Sequence, residues 1–242
     1  MKNIYNFAVI GVGGYIAPRH LQAIKKTGNK IVATFDINNS VGILDQFSLD
    51  IKFFISFERF DRYIDKIRTN SMDKIDFISI CSPNWLHDYH IRFTLRNDAT
   101  PICEKPLVLN PWNLERLVEL EHEFGKKIYT VLQLRLHPLI VNLRKRILNS
   151  SNSRKHEIIL TYITPRGSWY LQSWKGDISK SGGIATNIGI HFFDMLIWIF
   201  GPVVNSEVYF SEPKKMSGFL ELKRANVSWF LSTDINDLQS GS

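Results

Sequence analysis

The sequence has few cysteines and no long run of apolar residues. Cys81 and Cys103 are the two cysteines among 242 residues, and they form neither a C-x-x-C pair nor a spacing typical of metal ligands. We therefore expect reduced thiols in a cytoplasmic protein and no metal site. The most apolar late stretch, Ile188 to Phe200, contains His191 and Asp194, and it is shorter than a bilayer-spanning helix. We expect no membrane-embedded segment.

Targeting signals and charge patches are also lacking. The apolar run at the N-terminus has no small-residue cleavage site after it, so we interpret it as a first strand and not as a signal peptide. The formal net charge is +7, which suits an anionic partner. The densest basic cluster, Arg144 to Arg146, is interpreted as a solvated helix face, and nucleic-acid binding is disfavoured because it needs patches or arms. A small anionic substrate accounts for the surplus equally well.

Glycines are placed where they carry information. The stretch from Phe7 to His20 has the pattern of a strand, a glycine turn and a helix. Gly11 suits a tight turn, and Gly13 lets the backbone lie against a pyrophosphate at a helix start. Ile16, next to Tyr15, replaces the third glycine of the G-x-G-x-x-G fingerprint. The stretch predicts the dinucleotide-binding start of a βαβ unit.

An acidic residue follows the second predicted strand. That strand covers Lys30 to Phe35, and Asp36 comes directly after it. A carboxylate there suits a bidentate hydrogen bond to the ribose hydroxyls of the adenosine. The next residues are Ile37 and Asn38, not arginine, which favours NAD over NADP. The alternative is a glycine turn that merely joins a strand to a helix.

The order of apolar patterns predicts two domains. In residues 1–134 strands alternate with helices, which indicates an α/β fold with a Rossmann-type, doubly wound parallel sheet. In residues 135–242 strands follow one another, which indicates an α+β domain with a mostly antiparallel sheet. The predicted strands are Ile4–Ile10, Lys30–Phe35, Phe53–Ile55, Phe77–Cys81, Pro101–Cys103, Ile128–Leu132, Glu157–Ile163, Val203–Phe210, Gly218–Lys223 and Asn226–Ser232. The predicted helices are Tyr15–Lys26, Glu58–Asn70, Leu86–Asn97, Pro111–Phe124, Pro138–Leu148 and Ile188–Phe200, and the polar run 149–153 is predicted as a boundary or surface loop.

Two clusters lie where predicted strands end, which is where such sheets bind ligands. The first is Ser82-Pro83-Asn84 with His87, predicted to shape a loop beside the dinucleotide; a plain βα turn is the alternative, and His87 receives no catalytic role. The second is Glu104-Lys105-Pro106. The lysine there is expected to face the crevice and polarise a substrate hydroxyl or share its proton. Its alternative is a surface ion pair.

A third cluster lies at the start of the last predicted helix. Asn187, His191 and Asp194 are spaced four and three residues apart, so a regular helix would place them on one face. An imidazole beside a carboxylate and an amide is suited to proton transfer. The alternative to a catalytic role is a histidine in the core whose hydrogen bonds are made within the protein.

Together these motifs resemble a known family. Gly11-x-Gly13 with Asp36, Glu104-Lys105-Pro106, Trp174-Lys175-Gly176-Asp177 and Asn187-x-Gly189-x-His191-x-x-Asp194 are similar to the glucose–fructose oxidoreductase / inositol dehydrogenase family. The stretches Leu132–His137 and Gly182–His191 look more closely like the UDP-N-acetyl-2-amino-2-deoxyglucuronate 3-dehydrogenases of bacterial surface-polysaccharide (O-antigen) synthesis. The resemblance implies NAD-dependent oxidation of the C3 hydroxyl of that UDP-sugar.

The resemblance also implies roles for individual residues. Lys105 and His191 would be catalytic, with His191 as the acid/base. The cofactor would be bound by Gly11, Gly13, Tyr15, Ile16, Asp36, Ser82, Pro83, Asn84, His87, Glu104, Lys105 and Trp174. The substrate would be bound by Lys105, Gln133, Arg135, Arg166, Lys175, Asn187 and His191, with arginine suited to a uronate carboxylate or a diphosphate.

Departures from the family pattern leave alternatives open. Asn187 stands where the family usually has aspartate, and family members continue with a further strand and helix after Asp237. An unpaired sheet edge is therefore expected. By resemblance the protein would be a homo-oligomer, a tetramer, and some relatives reoxidise the cofactor with 2-oxoglutarate. The alternatives are a dehydrogenase of another sugar or inositol, and a truncated, non-catalytic nucleotide-binding protein.

Overall fold

The computed structural model describes residues 3–69, 73–150 and 154–238. The chain divides into two compact units, Met1–Val131 and Leu132–Ser242. The boundary predicted from the sequence lies slightly later, between residues 134 and 135. Two of the predicted features fall partly outside the described residues: the end of the helix Glu58–Asn70, and positions 151–153 of the polar run.

The first unit is a six-stranded parallel sheet with the strand order β3-β2-β1-β4-β5-β6. This is the order of a doubly wound dinucleotide-binding fold, with the switch point between β1 and β4, and it confirms the predicted fold class. The strands are β1 Asn6–Ile10, β2 Lys30–Phe35, β3 Lys52–Phe54, β4 Phe77–Ile80, β5 Thr100–Cys103 and β6 Tyr129–Thr130. The helices are α1 Ala17–Lys26, α2 Phe57–Arg68, α3 His87–Arg96 and α4 Trp112–Phe124.

The parallel strands are buried on both faces, which explains their nearly continuous apolar sequences. Successive residues of β1 point to opposite sides of the sheet. Ala8 and Ile10 belong to one apolar cluster, whereas Phe7 and Val9 belong to a second cluster that includes Leu21 of α1. The glycine turn after β1 is thus fixed by packing on both of its sides.

The second unit is a four-stranded mixed sheet with the order β7-β10-β9-β8. The pairings of β9 with β10 and with β8 are antiparallel, and β10 pairs with β7 in parallel, as expected for a mostly antiparallel sheet. The strands are β7 His156–Ile163, β8 Val203–Ser211, β9 Lys215–Leu222 and β10 Ala225–Ser232. The helices are α5 Pro138–Asn149, α6 Ser168–Gln172, α7 Ile178–Ser181 and α8 Ile190–Phe200. The short helices α6 and α7 were not predicted.

Helix α8 belongs to the core of this second unit. Its residues Leu196 and Ile199 are buried in one cluster with Val227 and Leu231 of β10. Within the described residues, the stretch Ile178–Phe200 is apolar enough by length and composition to cross a membrane, with a mean hydropathy of 1.4. Core helices of soluble proteins meet the same criterion, and the packing of α8 against β10 accounts for its apolar sequence.

Candidate active site

The glycine turn between β1 and α1 has no room for a side chain at Gly11. Gly11 has φ +82°, and a Cβ at this position would lie 2.6 Å from the carbonyl carbon of Cys81. Its N–H donates to the carbonyl of Phe35 at 2.8 Å. The backbone of the turn is therefore held against β2 on one side and against the end of β4 on the other, as the sequence motif predicts.

Asp36 closes this turn from the end of β2. Its Oδ2 accepts a hydrogen bond from the N–H of Gly13 at 2.8 Å, and its Oδ1 accepts one from the N–H of Asn38 at 2.8 Å. A Cβ on Gly13 would lie 3.2 Å from Oδ2. The carboxylate is thus fixed by backbone donors, while each of its oxygens keeps a further lone pair for another donor.

These features fit a dinucleotide cofactor. The backbone of the turn packs against Cys81 and Ser82 at Gly11 and against Asp36 at Gly13, where a Cβ would be crowded, and the carboxylate of Asp36 is the acceptor that ribose hydroxyls need. The same negative charge disfavours a 2′-phosphate, which agrees with the predicted choice of NAD. Tyr15 is exposed beside the turn, while Ile16 packs into the cluster beneath α1.

The loop after β4 is held from the protein interior. Ser82 and Asn84 are buried, and the Oγ of Ser82 lies 2.9 Å from Nδ1 of His90. Burial lowers the pKa of His90 to about 3, helped by the nearby His87, so the ring is neutral at physiological pH. Pro83 precedes a short 3-10 turn, Asn84–Leu86, that leads into α3.

His87 lies in the interior, where it joins two loops. The residue is fully buried, with Nδ1 2.6 Å from the carbonyl oxygen of Pro106 and Nε2 2.8 Å from that of Ser82. The buried ring supports these two loops from inside, with its nitrogens facing backbone carbonyls, and its contact with the cofactor stays a prediction. Ser82, Pro83 and Asn84 remain candidates for the cofactor side of the loop.

The Glu104-Lys105-Pro106 motif follows β5, and its Lys105–Pro106 peptide bond is cis. Oε1 of Glu104 lies 2.9 Å from Nε2 of His20 on α1, and Nδ1 of His20 lies 2.6 Å from the Oγ of Ser79 on β4. Burial raises the pKa of Glu104, but the bond and charge of His20 and the nearby Lys105 lower it by more. Glu104 is therefore an ionised, half-buried partner of His20 and not a surface charge; Lys105 itself is half-buried.

In the second unit, an ion pair joins two of the predicted residues. Arg135 lies in the 3-10 turn Gln133–Leu136, and its Nε donates to Oδ2 of Asp194 at 2.8 Å while a second nitrogen donates to Oδ1. Asp194 is nearly buried, whereas 42% of the Arg135 side chain is exposed. The sequence predicts Asp194 on one face with Asn187 and His191; in the structure the carboxylate is bound in a bidentate manner by Arg135. Gln133 is exposed at the start of the same turn.

The segment before α8 is a π-helical turn, Ala185–Gly189. A Cβ on Gly189 would lie 2.7 Å from side-chain atoms of both Leu231 and Phe193, so a larger residue would require these side chains to shift. A π-turn has more residues per turn than an α-helix, so the predicted α-helical face formed by Asn187 and His191 is not regular. Such turns are frequent at functional sites.

Asn187 and His191 have different surroundings. Nδ2 of Asn187 donates to the hydroxyl of Tyr170 at 2.9 Å, and Tyr170 is buried on α6. His191 is the second residue of α8, and its Nδ1 atom is buried. The sequence reasoning missed Tyr170 because α6 is a single short helix with no pattern of its own.

A cluster of cations and aromatic rings lies between β7 and α7. Nζ of Lys175 is 5.1 Å from the ring centre of Trp169 and 5.8 Å from that of Trp174. Burial lowers the pKa of Lys175, and the positive charge of Arg166 lowers it further. Arg166 is exposed, and its backbone N–H bonds to the carbonyl of Thr233. Two cations that repel each other in this way are stabilised by an anion.

Comparisons with known proteins agree with these two units. Residues 5–132 match the family model described as "Oxidoreductase family, NAD-binding Rossmann fold", and residues 157–230 match "Oxidoreductase family, C-terminal alpha/beta domain". The chain belongs to this GFO/IDH/MocA oxidoreductase family. Its first unit is therefore an NAD-binding Rossmann domain, as the sequence motifs predicted.

Among solved structures, the chain is similar to the WlbA (WbpB) dehydrogenase from Thermus thermophilus, solved in complex with NAD and alpha-ketoglutarate and also with NAD and UDP-GlcNAcA. The sequence identity is 46%, the TM-score is 0.94, and the match covers 98% of this chain and 75% of that chain in the first of these structures. The WlbA dehydrogenase from Bordetella pertussis, at 20% identity and a TM-score of 0.83, shares the fold.

Curated relatives match more distantly. The D-glucoside 3-dehydrogenase of Escherichia coli is 27% identical over 55% of this chain and 38% of its own length. The 2,7-anhydro-N-acetylneuraminate hydratase of Mediterraneibacter gnavus is 23% identical over 83% of this chain and 50% of its own length. The chain therefore spans at most half of these two relatives.

Proposed function

We propose that this protein is an NAD-dependent dehydrogenase that oxidises the C3 hydroxyl of UDP-N-acetyl-2-amino-2-deoxyglucuronate to the 3-oxo sugar. The observation that carries the proposal is the 46% identity, over 98% of the chain, to a dehydrogenase solved with NAD and UDP-GlcNAcA. The motif residues Asp36, Lys105 and His191 support it, because they offer the ribose acceptor, the cation and the imidazole that the reaction needs. The cellular setting proposed is the cytoplasm, in the synthesis of surface-polysaccharide (O-antigen) sugars.

The chain's own residues manage the proton in this reaction. When bound, NAD supplies the hydride acceptor, since the hydrogen on C3 leaves with its electron pair for C4 of the nicotinamide. His191 takes the proton of the C3 hydroxyl as the general base. Lys105 donates a hydrogen bond to the hydroxyl oxygen and stabilises the negative charge that develops there. The products are the 3-oxo sugar, NADH and one proton.

Anionic groups of the substrate call for cations. Lys175 and Arg166 repel each other enough for Arg166 to lower the pKa of Lys175, so a carboxylate or diphosphate between them would relieve this repulsion. Arginine also suits the planar carboxylate of a uronate. We assign substrate binding to these two residues together with Gln133, Arg135 and Asn187, with Trp174 on the cofactor side. Arg135 would bind substrate through its exposed part while it holds Asp194.

Turnover assays test the proposal directly. The purified protein is mixed with NAD and UDP-GlcNAcA, and NADH absorbance is followed with and without 2-oxoglutarate, which we propose as the oxidant that recycles the cofactor. Matched controls are UDP-N-acetylglucosamine, which lacks the carboxylate, and the free uronate, which lacks UDP. Of the three sugars, we expect only UDP-GlcNAcA to give an NADH signal or turnover that depends on 2-oxoglutarate.

Two results would contradict the proposal. Faster turnover of a free sugar would favour the second candidate, a dehydrogenase of another sugar, to which the similarity with a D-glucoside 3-dehydrogenase points. No turnover by a folded protein that binds NAD would favour a non-catalytic nucleotide-binding role.

The proposed catalytic residues have a test of their own. His191→Ala should lower kcat about 10²- to 10⁴-fold, the usual loss for a general base, while NAD binding is retained. Lys105→Met should lower kcat as well. The exposed His122 on α4 provides the control variant His122→Ala, which should leave kcat unchanged. Wild-type turnover by His191→Ala would exclude His191 as the base.

We also propose that the second unit forms a homo-oligomer, a tetramer by family resemblance. Every residue of the edge strand β8 is exposed, among them Val204, Val208 and Tyr209. An exposed apolar edge strand invites pairing with another chain. Mass photometry should show an assembly larger than one chain, and Val208→Lys should shift it toward the monomer; a wild-type monomer at all concentrations would exclude this proposal.

A further inference from the structure

Histidine side chains contact the residues on both sides of Lys105. Glu104, before it, is bound through its carboxylate by His20, and Pro106, after it, is bound through its carbonyl oxygen by His87. The two histidines come from different helices, α1 and α3. Neither is a neighbour of Lys105 in the sequence, and neither has a proton-transfer role in the proposed reaction.

His20 holds Glu104 within a chain of three side chains. Its Nδ1 lies 2.6 Å from Oγ of Ser79, and its Nε2 lies 2.9 Å from Oε1 of Glu104; 12% of the side chain of each of His20 and Glu104 is exposed. Ser79 is buried in β4. A side chain bonded at both nitrogens has one orientation, so Glu104 is fixed relative to the sheet.

His87 holds the other side of the lysine. Its ring is fully buried, and its nitrogens lie 2.6 Å from the carbonyl of Pro106 and 2.8 Å from the carbonyl of Ser82. Carbonyl oxygens only accept hydrogen bonds, so a neutral ring donates to one of them at a time. Burial lowers the pKa of His87, while the carbonyls act against this effect. The ring spans the loop after β4 and the loop after β5.

We propose that His20 and His87 are positioning residues that fix Lys105 in the place where it acts. The inference rests on the proposed function for the chemistry of Lys105, but its geometry does not. A displacement of about 1 Å at a reacting group can lower a rate about 10²-fold. The contacts to Glu104 and Pro106 fix the backbone on both sides of Lys105, and with it the point from which its long side chain extends.

The same contacts tie Lys105 to the cofactor cradle. His20 lies on α1, the helix that follows the glycine turn. Nε2 of His87 lies 2.8 Å from the carbonyl of Ser82, and the backbone nitrogen of Ser82 lies 2.6 Å from the position that a Cβ on Gly11 would take. The loops that surround the predicted pyrophosphate site and the loop that carries the lysine therefore contact the same two histidines: His20 is bonded at both nitrogens, and the buried ring of His87 packs between two carbonyls and donates to one of them at a time. They are set as one unit before any substrate arrives.

The experiment compares four variants of the full chain. His20→Leu removes both bonds of the ring, and His20→Gln keeps an amide that can donate to Glu104 and accept from Ser79. His87→Gln tests the second histidine, and His122→Gln, at an exposed position on α4, is the matched control. If His87→Gln does not fold, the two His20 variants still decide the question.

Two readouts are measured for each variant. The first is the relative acetylation rate of Lys105 by limiting acetic anhydride, determined by mass spectrometry without substrate. The second is the set of steady-state constants for UDP-GlcNAcA and NAD. We expect the Lys105 rate to change in His20→Leu and His87→Gln while other lysines keep theirs. We expect kcat to fall about 10- to 100-fold with KM for UDP-GlcNAcA close to wild type, and His20→Gln to recover most of the loss.

The outcomes separate this inference from the proposed function. An unchanged acetylation rate of Lys105 in His20→Leu and His87→Gln overturns the inference whatever the substrate is. A changed acetylation rate with an unchanged kcat also overturns the inference, because the two histidines would then order the loop without affecting catalysis. If the wild-type protein does not oxidise the nucleotide sugar, the proposed function fails, and the acetylation rates alone decide on the positioning role.

Discussion

The two units place their candidate residues by different means. In the first unit, backbone geometry places the residues of the glycine turn: Gly11 has a positive φ, and Asp36 binds the backbone N–H groups of Gly13 and Asn38. In the second unit, side chains hold one another: Arg135 binds Asp194, and Asn187 binds Tyr170. A backbone requirement leaves a short local motif, whereas a side-chain pair joins positions far apart in the chain.

The largest effect is expected from the glycine turn. Gly11 and Gly28 have nearly equal φ, +82° and +80°, but a Cβ on Gly28 would have nothing within 4 Å. Gly28→Ala should therefore lower the free energy of unfolding by about 1–2 kcal/mol through its φ alone. Gly11→Ala adds a backbone clash and should lower it by about 2–5 kcal/mol. Urea unfolding measures both, and equal losses would show that the turn is not sterically closed.

The next effect concerns Asp36 and the cofactor. Asp36→Ala should weaken NAD binding about 10- to 100-fold, the loss expected when hydrogen bonds to a charged group are removed. It should also narrow the preference for NAD over NADP, since the charge that repels a 2′-phosphate is gone. Isothermal titration with both cofactors measures this. Asp50→Ala, at an exposed position in the same unit, is the control; equal affinity in Asp36→Ala would remove Asp36 from the cofactor site.

In the second unit, the ion pair of Arg135 should matter more than a surface pair. Arg135→Ala leaves the nearly buried Asp194 without its bidentate partner, and it should lower the free energy of unfolding by about 1–2 kcal/mol, a range reduced because water screens the exposed part of Arg135. Arg116 pairs with Glu119 and Glu123 on exposed α4, so Arg116→Ala should cause no measurable loss. A similar loss of unfolding free energy in Arg135→Ala and Arg116→Ala would contradict the view that the Arg135 pair matters more than a surface pair.

Side-chain pairs such as Arg135 with Asp194 could not be predicted from the sequence, because their members lie far apart in the chain. The parallel sheet and the glycine turn follow from local patterns, since each needs particular residues at fixed spacing. The π-turn around Asn187 does not, because it depends on Gly189 packing against Leu231 of a distant strand. His20 illustrates the same limit: its partner Glu104 is reached only when α1 and β5 are in place.

A smaller effect is expected at Tyr170. Tyr170→Phe removes the acceptor for Asn187 and leaves a buried position apolar. The free energy of unfolding should fall by about 0.5–1.5 kcal/mol, the usual contribution of one hydrogen bond. Tyr129→Phe, at an exposed position on β6, should be neutral. A higher KM for the nucleotide sugar in Tyr170→Phe would indicate that Asn187 contacts the substrate. An unchanged free energy of unfolding would mean that the hydrogen bond to Tyr170 does not hold Asn187 in place.

The smallest effect is a pH dependence in the first unit. Burial raises the pKa of Glu104, but His20 and Lys105 lower it by more, so the folded-state pKa lies below the unfolded one. Such a carboxylate stabilises the fold at neutral pH, and this stabilisation is lost as the pH falls through the folded-state pKa. The difference in unfolding temperature between wild type and Glu104→Gln should therefore shrink below about pH 4, near the ordinary glutamate value. A difference that grows in acid would contradict this sign.

The measurement that tests the central claim most directly follows the hydride itself. UDP-GlcNAcA deuterated at C3 is incubated with the protein and NAD, and the reduced cofactor is examined by mass spectrometry. The account predicts NADH that carries deuterium at C4 and a slower reaction than with the protiated sugar. Unlabelled NADH, or no NADH from a protein that binds both NAD and the sugar, would contradict it.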